Sequence, residues 1–281
     1  MKIIRFIKHL CRDAAVFRTP LSFITLSVFP RAFRILTKIS IPVPKYFIAF
    51  CPDGTKFLYP TLDGGIPITL LEIFGNKEYF LLNSHLPKRG DVIVDCGAYV
   101  GLYTLLSSKL CDKNGEVISI EPEPTSSDIL KNNIRLNKIK NVKLFNIALM
   151  NRMGDIELLV PKVSRGGSTF FKNHLRAQKI KRYDKIKVKA MTLDEFAKIE
   201  NLDHINIMKI DVEGAELAVL KGAQNSLRNK KVNKLIIEIH KTINPPQKII
   251  DFLIKNEYNI DAYFDFNELK GMLYASTRDR K

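Results

Sequence analysis

Residues 92–101 read Val-Ile-Val-Asp-Cys-Gly-Ala-Tyr-Val-Gly, and this stretch decides the fold. The uninterrupted apolar run 92–94 suits a strand buried on both faces. An acid follows, then two glycines that let the backbone turn sharply, then a helical pattern through Leu110. Strand, glycine loop and helix in this order open an α/β sheet, whose ligands bind at the carboxyl ends of its strands. The alternation continues downstream. A second strand is expected over 117–121, a helix near 124–137 and a third strand over 142–149. After an interruption come a helix over 193–199, a strand over 205–210, a helix over 215–223, a strand over 235–239 and a helix over 246–255. Apolar runs at 258–264 and 271–276 read as a closing hairpin pair. The expected fold is therefore α/β and Rossmann-like: a mostly parallel seven-stranded sheet with helices on both faces.

Upstream, residues 46–80 show short apolar runs broken by Pro-Asp-Gly and Asp-Gly-Gly, a hairpin-rich pattern leading into a helix around 70–82. Residues 2–17 read as an amphipathic helix, with Ile3, Phe6, Ile7, Leu10 and Phe17 on one stripe and Lys2, Arg5, Lys8 and Arg12 between them. The predicted organisation is an N-terminal basic arm and small hairpin-rich extension over 1–85, then the α/β domain over 86–281.

The chain has 281 residues, 46% hydrophobic and 26% charged, an ordinary globular balance that argues against wholesale disorder. Cys11, Cys51, Cys96 and Cys111 are scattered without CxxC pairs, which points to free thiols in a reducing compartment. The net charge is +16, and it is concentrated. Residues 1–46 hold nine Lys/Arg against one acid, and residues 162–189 hold ten against one, so the remainder is nearly neutral. The second block reads as a basic insertion in the α/β domain. Such patches attract anionic partners. A membrane span needs about 20 apolar residues. The candidate span here, 19–30, is shorter and carries two prolines. The opening residues interleave charge with apolar side chains, unlike a signal peptide. The expected location is the cytoplasm, with 2–17 the candidate for peripheral contact with an anionic membrane.

The first loop is not GxGxxG, and its lead residue Asp95 would repel a pyrophosphate while attracting an ammonium group. Gly97 and Gly101 permit close backbone approach. Glu121 ends the second strand 26 residues after Asp95, placed to accept both hydroxyls of a ribose. An acid with glycines, then an acid at the next strand end, suits S-adenosylmethionine.

Several motifs in order carry a resemblance over roughly 70–240: IVDCGAYVGLYTLL (93–106), ISIEPEP (118–124), NVKLFNIAL (141–149), GGSTF (166–170), MTLDEF (191–196) and MKIDVEGAELAVLKGA (208–223). In them the chain resembles the FkbM-type S-adenosylmethionine-dependent methyltransferases, mostly O-methyltransferases of sugars and natural products. The resemblance implies the class I methyltransferase fold. It implies cofactor contacts from Asp95, Gly97, Tyr99, Gly101, Glu121, Asn146, Ala148 and Asp211, and acceptor contacts from Ser168 and Thr169. Family members more often carry Asn where this chain has Tyr99.

Methyl transfer to a hydroxyl requires the acceptor oxygen to be held in line and to lose a proton. Asp211 and Glu213 follow the fourth parallel strand, and His240 ends the fifth, so these three are the candidate bases. Glu238 is expected to support them. No metal is expected, since no spacing demands one. Asn244-Pro245-Pro246-Gln247 looks like the NPPY loop of amine methyltransferases, but it follows the wrong strand and lacks the aromatic residue. A helix start fixed by proline accounts for it. The leading reading is an O-methyltransferase acting on a sugar, glycan or related small molecule. An RNA methyltransferase is the first alternative, though His240 stands where the ribose methyltransferase tetrad needs lysine; nucleic acid is not the expected partner. A non-catalytic S-adenosylmethionine-binding protein at a membrane surface is the second. Oligomeric state has no signature.

Overall fold

The computed structural model describes residues 19–278. The amphipathic segment 2–17 lies outside them. Twelve strands are described: β1 (Tyr46–Phe50), β2 (Lys56–Pro60), β3 (Val92–Cys96), β4 (Glu116–Ile120), β5 (Val142–Phe145), β6 (Ala148–Leu149), β7 (Gly154–Pro161), β8 (Tyr183–Met191), β9 (Ile205–Ile210), β10 (Val232–His240), β11 (Tyr258–Asp265) and β12 (Lys270–Thr277). Seven of them form one sheet in the order β11-β12-β10-β9-β3-β4-β5. The ladders from β5 to β10 are parallel. β12 inserts antiparallel between β10 and β11. This is the mostly parallel, Rossmann-like sheet expected, closed by the expected hairpin pair.

Period-two alternation assigns each strand residue to one of two cores. Val94, Ile118, Met208, Leu235 and Ile237 face helices Leu193–Ile199, Glu216–Gly222 and Pro246–Lys255. Ile93, Val117, Ile207, Ile236 and Tyr274 face the other way. There they meet helix Leu102–Cys111 and a set of N-terminal side chains, among them Leu26, Phe57, Tyr59, Leu70 and Tyr79. The β1–β2 hairpin is thus part of the cover on that face. Its outer edge is closed by side chains rather than another strand. Asn133 Oδ1 accepts from Leu58 N at 2.6 Å, and Asn137 Oδ1 accepts from Lys56 N at 2.9 Å.

Three segments differ from expectation. The helix expected around 70–82 starts earlier, at Ile66, and runs as Ile66–Leu70 and a π turn Leu71–Gly75. Pro67 at its first turn explains the shift, because a fixed φ suits a helix start. The single strand expected over 142–149 is two. Asn146 breaks it by turning its side chain back to the Glu121 and Pro122 carbonyls, 2.7 and 3.1 Å away. β5 then stays with β4, while β6 joins β8 and β7 in a separate three-stranded sheet. The end of the basic stretch 162–189 enters that sheet as β8. Lys185 and Lys189 cross to Glu157 and Asp155 at 2.8 and 2.7 Å on its solvated face. Asn244 is buried and Pro245-Pro246 starts the last helix, as the helix-start reading of that loop requires.

Candidate active site

A cavity of about 510 Å³ opens at the carboxyl ends of β3, β4, β9 and β10. Of the residues singled out from sequence, Gly97, Tyr99, Glu121, Ala148, Ser168, Asp211, Glu213 and His240 line it. Asp95, Gly101, Asn146 and Thr169 stand behind the wall.

One end of the cavity is shaped by backbone. Gly97 has φ +81°, and a Cβ there would lie 1.8 Å from the Asp211 carbonyl oxygen. Gly101 has φ +92°, and its Cβ would lie 2.1 Å from Leu130 Cδ1. Gly97 therefore excludes any side chain by conformation and by space, while Gly101 strains one by its left-handed conformation and would push Leu130 aside. Tyr99 is also left-handed, at φ +51°, a region where Asn is enriched and Tyr is not. Its amide donates to Glu121 Oε2 at 2.7 Å, and the Glu123 amide donates to Glu121 Oε1 at 2.8 Å. Each carboxylate oxygen thus retains capacity for a donor from the cavity. Burial pushes the Glu121 carboxyl up to about 7, against these two amide bonds.

Asp95, expected to meet an ammonium group of the ligand, meets that of Lys209 instead. Its carboxylate is fully buried, accepts from Thr104 Oγ1 at 2.6 Å and lies 3.0 Å from Lys209 Nζ. Lys209 also donates to the Gly97 carbonyl at 2.8 Å and lies 3.6 Å from Asp211. Burial alone would depress this ammonium, yet Asp95 and Asp211 hold its pKa raised. One cation therefore ties the glycine loop to the end of β9.

The other end is a dense set of side chains. The Tyr79 hydroxyl is 2.9 Å from Asp211 Oδ2 and 2.7 Å from Glu238 Oε2. One phenolic proton cannot serve two carboxylates at once, so the two compete for it. Burial and then Asp211 raise Glu238, while Lys209 and His240 overcome burial and keep Asp211 low. The Tyr79 hydroxyl is within donating distance of both carboxylates. Lys270 closes the group from β12, 3.1 Å from Glu238 and 3.0 Å from Glu78, and bonds Glu72. Burial and the neighbouring Glu238 push Glu72 up to about 8.

His240 lies at the end of β10. Its Nδ1 is 2.7 Å from Glu216 Oε1, and its Nε2 is 3.4 Å from Glu213 Oε2. Burial opposes its positive form, but Glu213 and Glu216 outweigh burial and raise its pKa well above the ordinary value. His240 is thus held between two carboxylates at the end of β10. Ser168 and Thr169 both use their hydroxyls on backbone, on Arg165 O and Glu213 O, each at 2.6 Å. Of the cations in the basic stretch, Arg165 reaches the cavity wall, 3.0 Å from the buried Glu123.

Sequence reasoning missed Lys209, Glu216, Tyr79, Glu72, Lys270 and His174. Lys209 did leave a signal, as the one charge inside the apolar run 205–210. The others are marked by nothing local.

Seven strands in this order, with a ligand cavity at the crossover between β3 and β9, define the Rossmann-like methyltransferases that use S-adenosylmethionine. The family model described as "Methyltransferase FkbM domain" matches residues 95–260, more than half of the chain, and the chain belongs to that family. Its cofactor is S-adenosylmethionine. Among curated relatives, the "Hexuronic acid methyltransferase AglP" of Haloferax volcanii is 26% identical over 174 residues, 62% of this chain and 66% of that protein. The "2-O-methyltransferase NoeI" of Sinorhizobium fredii is 27% identical over 161 residues, 54% of this chain and 65% of that protein. Both matches thus span slightly less than two thirds of the relative. Among solved structures, the "Methyltransferase FkbM" of Methylobacillus flagellatus shares the fold at a TM-score of 0.50 and 17% identity, over 75% of this chain and 53% of that one.

Proposed function

We propose that the chain transfers a methyl group to a hydroxyl of a sugar, glycan or related small molecule. The observation that carries this is the single cavity joining Glu121 to the cluster around Asp211, Glu213 and His240. The named activities of the two relatives, on a hexuronic acid and at a 2-O position, point the same way. When bound, S-adenosylmethionine would supply an electrophilic methyl whose bond to the sulfonium breaks as the bond to the acceptor oxygen forms, with a neutral thioether as leaving group. The chain's own part is to hold and to deprotonate. Glu121 takes the ribose hydroxyls, and Gly97, Tyr99 and Ala148 shape that end. Asp95 acts through Lys209, Asn146 through the carbonyls it holds, and Gly101 through the helix start it allows. Asp211, kept ionised, faces the acceptor end and takes the hydroxyl proton. Ser168 and Thr169 hold the 166–170 turn against that pocket.

In this reading residues 1–85 form an extension to the domain over 86–281, and the extension completes the acceptor end with Glu72 and Tyr79. A cytoplasmic setting fits the buried free thiols Cys51, Cys96 and Cys111. Among the described residues no helix is long and apolar enough to cross a membrane. The test is incubation of the purified chain with S-adenosylmethionine and a panel of hexuronic acids, deoxyhexoses and oligosaccharides, followed by mass spectrometry. A product heavier by one methylene, absent without the cofactor, is expected. Methylation confined to RNA, or no product from any sugar extracted from the source cells, overturns the acceptor assignment.

A further inference from the structure

His174, Glu213 and His240 come from three separate elements: helix Lys172–Ala177, the loop after β9, and the end of β10. Their side-chain atoms converge, and Gln178 Nε2 also reaches the point, 2.8 Å from His174 Nε2 and 3.4 Å from Glu213 Oε2. His174 Nε2 lies 2.6 Å from Glu213 Oε2, and His240 Nε2 lies 3.4 Å from that same oxygen. All three ligand-capable atoms fall within 4.8 Å of one another. The two imidazole rings stand perpendicular, with centroids 5.1 Å apart. Each ring is fixed from behind through its other nitrogen: His240 Nδ1 on Glu216 Oε1 and His174 Nδ1 on Thr242 Oγ1, both at 2.7 Å. Glu216 is itself held by the Gly214 amide at 2.8 Å and by Asn244 at 2.5 Å. Histidines anchored at Nδ1, with Nε2 aimed at a shared point beside a carboxylate, have the arrangement that orients metal ligands.

We infer that His174, Glu213 and His240 form a binding site for a divalent transition-metal ion at the acceptor end of the cavity. Two nitrogens and one oxygen suit zinc, cobalt, iron or manganese, whereas magnesium and calcium favour all-oxygen sets. All three residues line the cavity. Three protein ligands leave coordination positions open on that side. Those positions fit oxygens of an acceptor that presents two neighbouring groups, such as a vicinal diol or a hydroxyl beside a carboxylate. The acceptor class rests on the methyltransferase reading above, but the metal site does not.

Co²⁺ is the probe, because nitrogen ligation shows in its visible absorption. The intact chain, treated with chelator and dialysed, is titrated with Co²⁺ by absorption and by calorimetry, with Mg²⁺ as competitor. S-adenosylhomocysteine binding is measured on the same samples. One Co²⁺ per chain is expected, undisplaced by excess Mg²⁺. His174→Ala should weaken it at least tenfold. Thr242→Val, which only frees the His174 ring, should weaken it about tenfold. His204→Ala, an exposed histidine outside the cavity, should leave it unchanged. Absence of stoichiometric Co²⁺ binding by a chain that still binds S-adenosylhomocysteine overturns the metal site alone. Binding indifferent to His174→Ala and Thr242→Val also overturns it. Co²⁺ binding without S-adenosylhomocysteine binding would sink the methyltransferase reading and leave the metal site standing.

Discussion

The two ends of the cavity are built by different means. At the β3–β4 end, backbone does the shaping: two glycines at positive φ, and the amides of Tyr99 and Glu123 on one carboxylate. Few charges are present, and the residues involved lie within 30 positions of one another. At the β9–β10 end, side chains do it. Tyr79, His174, Asp211, Glu213, Glu238 and Lys270 arrive from five segments and neutralise one another. A constant ligand can be held by backbone geometry, whereas an acceptor that differs among relatives needs interchangeable side chains. Lys209 is the junction, bonded to the Gly97 carbonyl on one side and near Asp211 on the other.

Breaking the junction should cost most. Lys209→Met leaves Asp95 buried without its cation, and loss of one partner of a buried pair costs about 3–5 kcal/mol. Denaturant unfolding measures it, and a loss under about 1 kcal/mol would mean that the two ends stand independently. Gly97→Val comes next. The left-handed φ and the approach of the Asp211 carbonyl should together cost about 2–4 kcal/mol and abolish cofactor binding. Calorimetry with S-adenosylhomocysteine and a thermal melt check both parts.

Glu121→Ala probes the backbone-built end with a smaller effect. Two charge-assisted bonds to the ribose are lost, so affinity should fall by about 1.5–3 kcal/mol. An unchanged dissociation constant would remove Glu121 from the cofactor site. The same residue sets a pH dependence. Burial raises its carboxyl to about 7, and ribose hydroxyls donate best to the ionised form. Cofactor binding therefore releases a proton at low pH. Affinity should rise about tenfold per pH unit up to about 7 and then level off. Glu121→Gln should flatten that profile, and a profile unchanged in the variant would assign the titration elsewhere.

The smallest effect is expected outside the cavity. Lys179, Lys181 and Arg182 are exposed and do not line it. Reversing their charges should raise KM for an anionic acceptor only a few-fold at low salt, and added salt should erase the difference. A larger effect would extend the side-chain-built end onto the basic stretch before β8.

How much was legible follows the same division. The β3 loop could be read because its requirements are local: an apolar run, then glycines where no Cβ fits. Glu121 could be read because a strand end places it one unit further on. Asn146 looked like mid-strand residue by its neighbours alone. Its turn back to the Glu121 carbonyl depends on where β4 lies, so one expected strand became two.

The sequence by itself determined the order of strands and helices, the sheet they form and the glycine loop, because periodicity and turn chemistry act over a few residues. Only the tertiary structure decided who meets whom at the β9–β10 end of the cavity. Tyr79 and Glu238 are 159 positions apart, and nothing local to either says that they share a hydrogen bond. It also decided that Asp95 pairs with Lys209 and that His240 sits between Glu213 and Glu216. Burial sets the cost of each charge, and burial is a property of the assembled core rather than of the chain.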